Sequence, residues 1–320
     1  MSELLTIEQR RGRLDAAHWI VEGGRRRPGV DDNRRMTELR SGLTCHSGVR
    51  CAAADADAAQ VERTLASLHE PAYLEALDEV RGPEPVVLPH LAAPGLEPDI
   101  PVSGGLVAAA REGVRTAITA AERTLAGARF TYALCRPPGH HAGPTWCAGY
   151  CYLNTAAAAA VTLCDGGVKP VGILDLDLHY PNGTAAIVAE MADARLHSIH
   201  AHPVTNVAGE TVTPSSKRER VVELSGSPAA ATYLRAVAAS VEALGESCAV
   251  LVVSLGYDTV RGDPHGSWSF SPAIFAQVGR LLAQAGLPVC VIQEGGYALG
   301  SLAACAYAFA AGLLDTREAA

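Results

Sequence analysis

Two adjacent histidines, His140 and His141, stand behind a Pro137-Pro138-Gly139 turn. A stiff turn holds both imidazoles in a specified place, and imidazole titrates near neutrality, so the pair is equipped to move protons. Read alone, the motif fits a surface turn equally well. Further along, Asp175-Leu176-Asp177-Leu178-His179 sets two carboxylates and an imidazole at two-residue spacing on an apolar run. Burying such groups unpaired is costly, and a divalent cation that takes oxygen and nitrogen ligands offsets the cost. The alternative is an aspartate paired with a distant arginine beside a capping histidine. Asp258 leaves the apolar run 251–255 within Gly256-Tyr257-Asp258-Thr259, where a helix cap or turn is the bland reading. Gln293-Glu294-Gly295-Gly296-Tyr297 offers two glycines that permit close backbone approach and a phenol that can donate a hydrogen bond. Together these residues form an inventory for hydrolysing a carbonyl compound: an activated water, a general base and an oxyanion donor.

All of these groups follow short apolar runs, and helical patterns fill the intervals. Residues 106–126 read as helix, 130–135 as strand, 150–164 as an alanine-rich helix, 171–178 as strand and 184–191 as helix. Strand 196–199, helix 229–244, strand 249–255, helix 272–285 and strand 289–292 continue the alternation. Apolar runs without polar alternation, separated by helices, predict parallel strands covered on both faces. The expected fold is α/β, with three layers around a mainly parallel sheet and one domain over residues 1–320. Ligands of such sheets bind outside the carboxyl ends of the strands, where the chemical residues stand. Upstream, 60–80 reads as helical pattern interrupted at Pro71, and 82–105 as a loop of the same domain. Residues 1–60 form an atypical opening segment. Its nine arginines before residue 41, including Arg25, Arg26 and Arg27, read as a solvated surface.

Composition bounds the function classes. Of 320 residues, 48% are hydrophobic and 19% charged, which predicts a globular chain with a full core. A net charge of −8 argues against a general nucleic-acid binder. The first residues, MSELLTIEQRRGRLD, have no apolar secretory core, and the apolar stretch 302–314 is shorter than the ~20 residues a membrane span needs. Nine cysteines without a CxxC pair fit a reducing cytoplasm better than a disulfide framework. Only Lys169 and Lys217 of the 26 basic residues are lysines, and the chain is alanine-rich, which hints at a high-GC bacterial genome.

The segments RPPGHHAGPTWCAGYCYLN, GILDLDLHYPNGT, HSIH, VVSLGYDTVRGDPHG and QEGGYALGSL occur in order between residues 136 and 302, the densest part of a resemblance that covers roughly residues 67–314. In combination they resemble the histone deacetylase / acetylpolyamine amidohydrolase family, and look more like its bacterial and class II members than class I. The resemblance implies an arginase/deacetylase-like fold with one Zn²⁺ per chain on Asp177, His179 and Asp258, leaving an open position for water and substrate carbonyl. It implies His140 and His141 as general base and general acid, oriented by Asp175 and Asn182, with Tyr297 donating to the oxyanion. A structural K⁺ is implied on Asp175, the Ser198 hydroxyl and the carbonyls of Asp177, His179 and Ile199. Gly149 and Tyr150 match residues lining the family's acyl-lysine tunnel.

The chain departs from the pattern at three places. Tyr180-Pro181 follows the Asp-Leu-His motif where His-Gly is usual. Beyond His200, Val204-Thr205-Asn206-Val207-Ala208-Gly209 replaces an aromatic wall, which puts Val207 in the tunnel lining, leaves Tyr150 without a facing ring and predicts a wider tunnel. His265, in GDPHG, occupies the rim position where a polyamine-selective deacetylase carries glutamate. The expected protein is a zinc-dependent amidohydrolase that removes an acyl group, acetyl first, from a small-molecule N-acylated amine: an acetylpolyamine, acetyl-lysine or a biosynthetic intermediate. It needs no nucleic-acid or membrane partner, and an oligomer is left open. The alternatives are a catalytically silent zinc protein that binds acyl groups or partner proteins, and an arginase-like hydrolase with two Mn²⁺.

Overall fold

The computed structural model describes residues 3–10, 17–22, 25–95, 98, 100–202, 214 and 216–315. Four apolar segments form strands buried along their whole length: β5 (Phe130–Leu134), β6 (Val171–Asp175), β9 (Val250–Leu255) and β10 (Val289–Gln293). Their uninterrupted hydrophobicity reflects helices on both faces of the sheet. Four further strands complete it: β1 (Leu4–Glu8), β4 (Val49–Ala53), β7 (Ala194–His202) and β8 (Glu219–Ser225). The order is β4-β1-β5-β10-β9-β6-β7-β8, with every pairing parallel. A separate antiparallel hairpin joins β2 (Trp19–Glu22) to β3 (Arg25–Pro28).

On one face of the sheet pack α1 (Arg34–Thr44), α7 (Ala230–Ser247), α8 (Ile274–Gln284) and α9 (Leu299–Leu314), around a core that includes Leu39, Val237, Phe275 and Phe309. The other face carries α4 (Gly104–Leu125), α5 (Thr155–Asp165) and α6 (Asn182–Glu190), with small side chains such as Ala117, Ala156 and Ala185 against the strands. Outside this layer lie α2 (Ala58–Leu68) and α3 (Pro71–Glu79), whose residues Leu65 and Tyr73 close a third cluster. The three-layer α/β/α architecture is the expected one. No helix among the described residues is long and apolar enough to cross a membrane.

Local chemistry sets the ends of the elements near the sheet's carboxyl edge. The helix read over 150–164 begins only at Thr155, because the Asn154 side chain accepts the Ala157 N–H and caps it. Residues 150–153 are thereby released to line a cavity. The strand read over 171–178 stops at Asp175, so 176–179 curve away over the sheet edge. Residues 1–60 depart most from expectation. They supply β1 inside the sheet and β4 at its edge. The solvated reading holds for Arg25 to Arg27, which are exposed, and fails for Arg35, whose side chain is fully buried in an ion pair with Asp31.

Candidate active site

The residues singled out for chemistry meet at the carboxyl ends of β5, β6, β9 and β10. His179 Nδ1 lies 3.1 Å from Asp177 Oδ1 and 3.0 Å from Asp258 Oδ2. Ligand-type atoms of these three residues all fall within 4.8 Å of one another. Backbone amides fix the carboxylates: Leu178 N–H donates to Asp258 Oδ1 (3.0 Å), and Gly295 N–H to Asp177 Oδ2 (2.9 Å). Asp258 Oδ2 remains buried without a hydrogen bond of proper geometry. Space around the carboxylates is minimal. A Cβ on Gly256 would come 2.3 Å from Asp177 Oδ2, and one on Gly295 would come 2.6 Å from the same oxygen. Burial and repulsion from Asp177 push the Asp258 carboxyl upward. Burial also opposes the charge on His179, but Asp177 and Asp258 outweigh it and raise the imidazole to about 10. An orphaned carboxylate oxygen, a cradle that admits only glycine and two mutually repelling carboxylates beside an imidazole all fit a divalent cation.

The tandem histidines lie alongside, their ring centroids 4.1 Å apart. His140 Nδ1 is 3.3 Å from Asp175 Oδ2, and His141 Nδ1 is 2.7 Å from Asn182 Oδ1. Burial disfavours charge on His140, yet Asp177 and Asp175 override it and lift the group to about 10. His141 has no such carboxylate, so burial and the neighbouring His140 and His179 hold it well below its usual range. The two rings are thus electrostatically unequal. The His-Gly to Tyr180-Pro181 change leaves this arrangement intact: Pro181 precedes α6, Asn182 still reaches His141, and the Tyr180 hydroxyl turns away to donate to Glu219 Oε1 (2.6 Å).

Tyr297 closes the far side. Arg35 places its guanidinium 4.6 Å from the ring centroid, and Asp263 Oδ2 accepts the backbone N–H of Tyr297 (2.5 Å) and Ala298 (2.9 Å). Between Tyr297 and the histidines is a cavity of about 220 Å³, whose wall includes Gly149, Tyr150 and His265, with Ile20, Val21 and Ile100 as an apolar portion. Asp175 and Ser198 are register partners on β6 and β7, and with Ile199 they are fully buried. The Ser198 hydroxyl lies 2.7 Å from His200 Nδ1.

One expectation about the tunnel is corrected. Tyr150 does not lack ring partners: His18 stacks on it at 5.2 Å, and Tyr297 and His265 lie at 5.6 and 5.7 Å. Its hydroxyl meets His265 Nε2 at 3.1 Å and accepts the Val30 N–H at 3.3 Å. The opening segment supplies one of these rings, His18. Val207, expected in the tunnel lining, lies with the rest of 204–209 outside the described residues.

Sequence reasoning also passed over His18, Asp31, Arg35 and Arg136, a buried group in which Asp31 pairs with the other three. Arg35 donates to the carbonyls of Glu294 and Gly296, both at 2.6 Å. The adjacency of Asp31 and Arg35 at helical spacing was the one signal in the sequence. A second ligand-type group, His140, Cys151 and Glu294, also falls within 4.8 Å. Its members are already engaged: His140 with Asp175, Cys151 Sγ with the Gly149 carbonyl (3.4 Å), and Glu294 Oε2 with two backbone amides.

Fold and site together define a three-layer α/β protein with a histidine-flanked metal-type centre at the carboxyl edge of its sheet. The chain belongs to the histone deacetylase domain family, which matches residues 30–313. It is 35% identical over 211 residues to the acetylpolyamine amidohydrolase of Mycoplana ramosa, a match covering 61% of this chain and 60% of that protein. It is 34% identical over 230 residues to acetylpolyamine amidohydrolase 1 of Pseudomonas aeruginosa, covering 69% of this chain and 66% of the relative. The matches therefore span less than two thirds of these relatives' lengths. The crystal structure of an acetylpolyamine aminohydrolase from Burkholderia pseudomallei is similar across the fold, with a TM-score of 0.83 at 26% identity over 97% of this chain and 98% of that one.

Proposed function

We propose that the protein is a zinc-dependent amidohydrolase that removes an acyl group, acetyl first, from a small N-acylated amine, and that residues 1–320 act as one domain. The observation that carries the reading is the convergence on one cavity of Asp177, His179, the unequal pair His140/His141 and Tyr297, with ligand-type atoms of Asp258 within 4.8 Å of those of Asp177 and His179. Asp177, His179 and Asp258 would hold one Zn²⁺ per chain. A bound divalent cation supplies Lewis acidity to the amide carbonyl and acidifies a bound water.

Every other role falls to side chains of this chain. Of the tandem pair, the neutral ring serves as general base: His141, its Nδ1 turned to Asn182, presents Nε2 to take the proton from the attacking water, the reverse of the order the resemblance implied. His140, kept charged beside Asp175, delivers a proton to the leaving nitrogen as general acid. Tyr297 donates its hydroxyl to the carbonyl oxygen as negative charge develops there. Water oxygen bonds to the acyl carbon, the C–N bond breaks, and a carboxylate and a protonated amine leave. Gly149, Tyr150 and His265 border the route to the amide, while Ile20, Val21 and Ile100 accept an alkyl portion. Asp175, Ser198 and Ile199, with the carbonyls of Asp177 and His179, would hold a structural K⁺. The names of the relatives favour an acetylated polyamine as the first substrate to try.

The deciding experiment is metal-normalised hydrolysis of N-acetylputrescine, N-acetylspermidine, acetyl-lysine peptides and longer-acyl analogues, with His141→Ala run in parallel. Turnover by the wild type, lost in His141→Ala, is expected. A zinc-loaded wild type inert on the whole panel would overturn the amidohydrolase reading in favour of a binding protein.

A further inference from the structure

Glu294 is fully buried, its carboxylate within 4.8 Å of a ring nitrogen of His140. Burial drives its carboxyl up to about 7. Keeping such a group in the interior is costly unless its oxygens have work that an apolar side chain cannot do. Both oxygens are used. Oε2 accepts two consecutive backbone amides, the N–H of Gly139 (2.7 Å) and of His140 (3.1 Å), and Oε1 accepts the Ser254 hydroxyl at 3.4 Å. The carboxylate bearing those oxygens is itself set at both ends of its residue: its N–H donates to the Leu255 carbonyl (2.9 Å), and its carbonyl accepts Arg35 (2.6 Å).

The turn that carries the tandem histidines is thus gripped from two directions. Its carbonyl side is held by Thr184, whose N–H (3.0 Å) and hydroxyl (3.3 Å) both donate to the His140 carbonyl. Its amide side rests on one oxygen of Glu294. Because β10 lies next to β5 in the sheet, the carboxylate reaches the turn directly from the neighbouring strand end.

We infer that Glu294 is a positioning residue, a double acceptor that fixes the Gly139–His140 turn and so sets where the His140 ring stands relative to Asp175 and the candidate metal ligands. The inference deepens the proposed amidohydrolase reading and rests on it for its kinetic consequence. Its structural content, the seating of two amides, stands apart from any activity. Acceptor geometry and charge make opposite demands on substitution. In Glu294→Gln the amide oxygen can take both N–H groups while its NH₂ faces Ser254 Oγ, which is able to accept. Glu294→Met keeps length and apolar volume but offers no acceptor. Glu294→Asp keeps the charge but is shorter by about 1.5 Å.

The zinc-loaded wild type and the three variants are compared by amide hydrogen exchange at residues 139 and 140 and by steady-state kinetics on the best substrate of the panel. Displacing a catalytic group by ~1 Å costs about 10²-fold, so kcat is expected to fall roughly 10- to 100-fold in Glu294→Met and Glu294→Asp with KM within about twofold. Glu294→Gln is expected to stay within about threefold of wild type, since it preserves the contact. The two amides are expected to exchange at the wild-type rate in Glu294→Gln and about tenfold faster in the other two. If one of these two variants does not fold, the other still lacks the contact and decides. Wild-type kinetics and protection in Glu294→Met or Glu294→Asp would overturn the inference. So would a Glu294→Gln enzyme as impaired as Glu294→Asp with its amides still protected, which would assign the role to charge. If the wild type turns over nothing, the function fails while exchange at residues 139 and 140 still tests the seating.

Discussion

The ring of Tyr297 has little freedom left. Arg35 covers one face, Asp263 ties its backbone N–H, and Arg35 also holds the preceding Gly296 carbonyl. Removing the hydroxyl should leave that packing in place and delete only the donor. Tyr297→Phe is therefore expected to lower kcat by about 10²–10³ with a small change in KM, the usual result of losing one oxyanion donor. Steady-state kinetics at matched zinc content measures it, and a loss below about tenfold would assign the oxyanion to other groups. His140, His141, Asp177, His179, Asp258 and Tyr297 were legible because ionisable residues at apolar strand ends have few bland explanations. Arg35 and Asp31 were not. Arginine is seldom buried, so an arginine-rich stretch reads as surface until its partners are placed in three dimensions. The part Glu294 plays was not legible either, because its partners are backbone amides that carry no sequence signature.

At the next scale up, His69 links elements rather than reagents. It stands between α2 and α3, with Nδ1 2.8 Å from the Gly143 carbonyl, while Nε2 accepts the Asn154 N–H at 3.2 Å. This pattern requires the neutral ring, since Nε2 must accept. Burial accordingly lowers its pKa to about 4, from an ordinary value of 6.5. A depressed folded-state pKa means the contribution is fully present above pH 6.5 and is lost as pH falls towards 4, because the unfolded chain then binds the proton more readily. His69→Gln offers an NH₂ donor and an oxygen acceptor at similar reach. It is expected to be less acid-sensitive than wild type across that window, as followed by denaturant midpoints from pH 7.5 to 4.5; parallel curves would exclude His69 as the titrating group. Among the elements, β5, β6, β9 and β10 were readable from unbroken apolar runs. The charged edge strand β8 (ERVVELS) and the edge strand β4 (VRCAA) were not, because exposure on their outer sides mixes polar residues into the pattern. Strand β1 is internal, but its five residues lead directly into the arginine-rich stretch that masked them.

Taken whole, the molecule depends on an ionic knot near its beginning. Asp31 pairs with His18, Arg35 and Arg136, fastening the opening segment to the turn after β5 and to Tyr297. Taking the charge from one member strands two buried guanidinium groups. Asp31→Asn is expected to cost about 3–5 kcal/mol of unfolding free energy. Chemical denaturation at pH 7 reads the loss, and a cost under about 1 kcal/mol would show that the two arginines find other partners. Strand order has a different consequence, in time. β10 is the last strand in the chain and sits in the middle of the sheet, between β5 and β9. Before it arrives, β4-β1-β5 and β9-β6-β7-β8 have no strand-to-strand bond between them, and neighbouring strand positions are about 4.8 Å apart. The tandem histidines belong to the first block, while Asp177, His179 and Asp258 belong to the second. As the ribosome releases the chain from its amino end, residues 289–293 are the last strand to emerge, and their insertion joins the block of His140 and His141 to the block of Asp177, His179 and Asp258 while bringing Gly295 against Asp177.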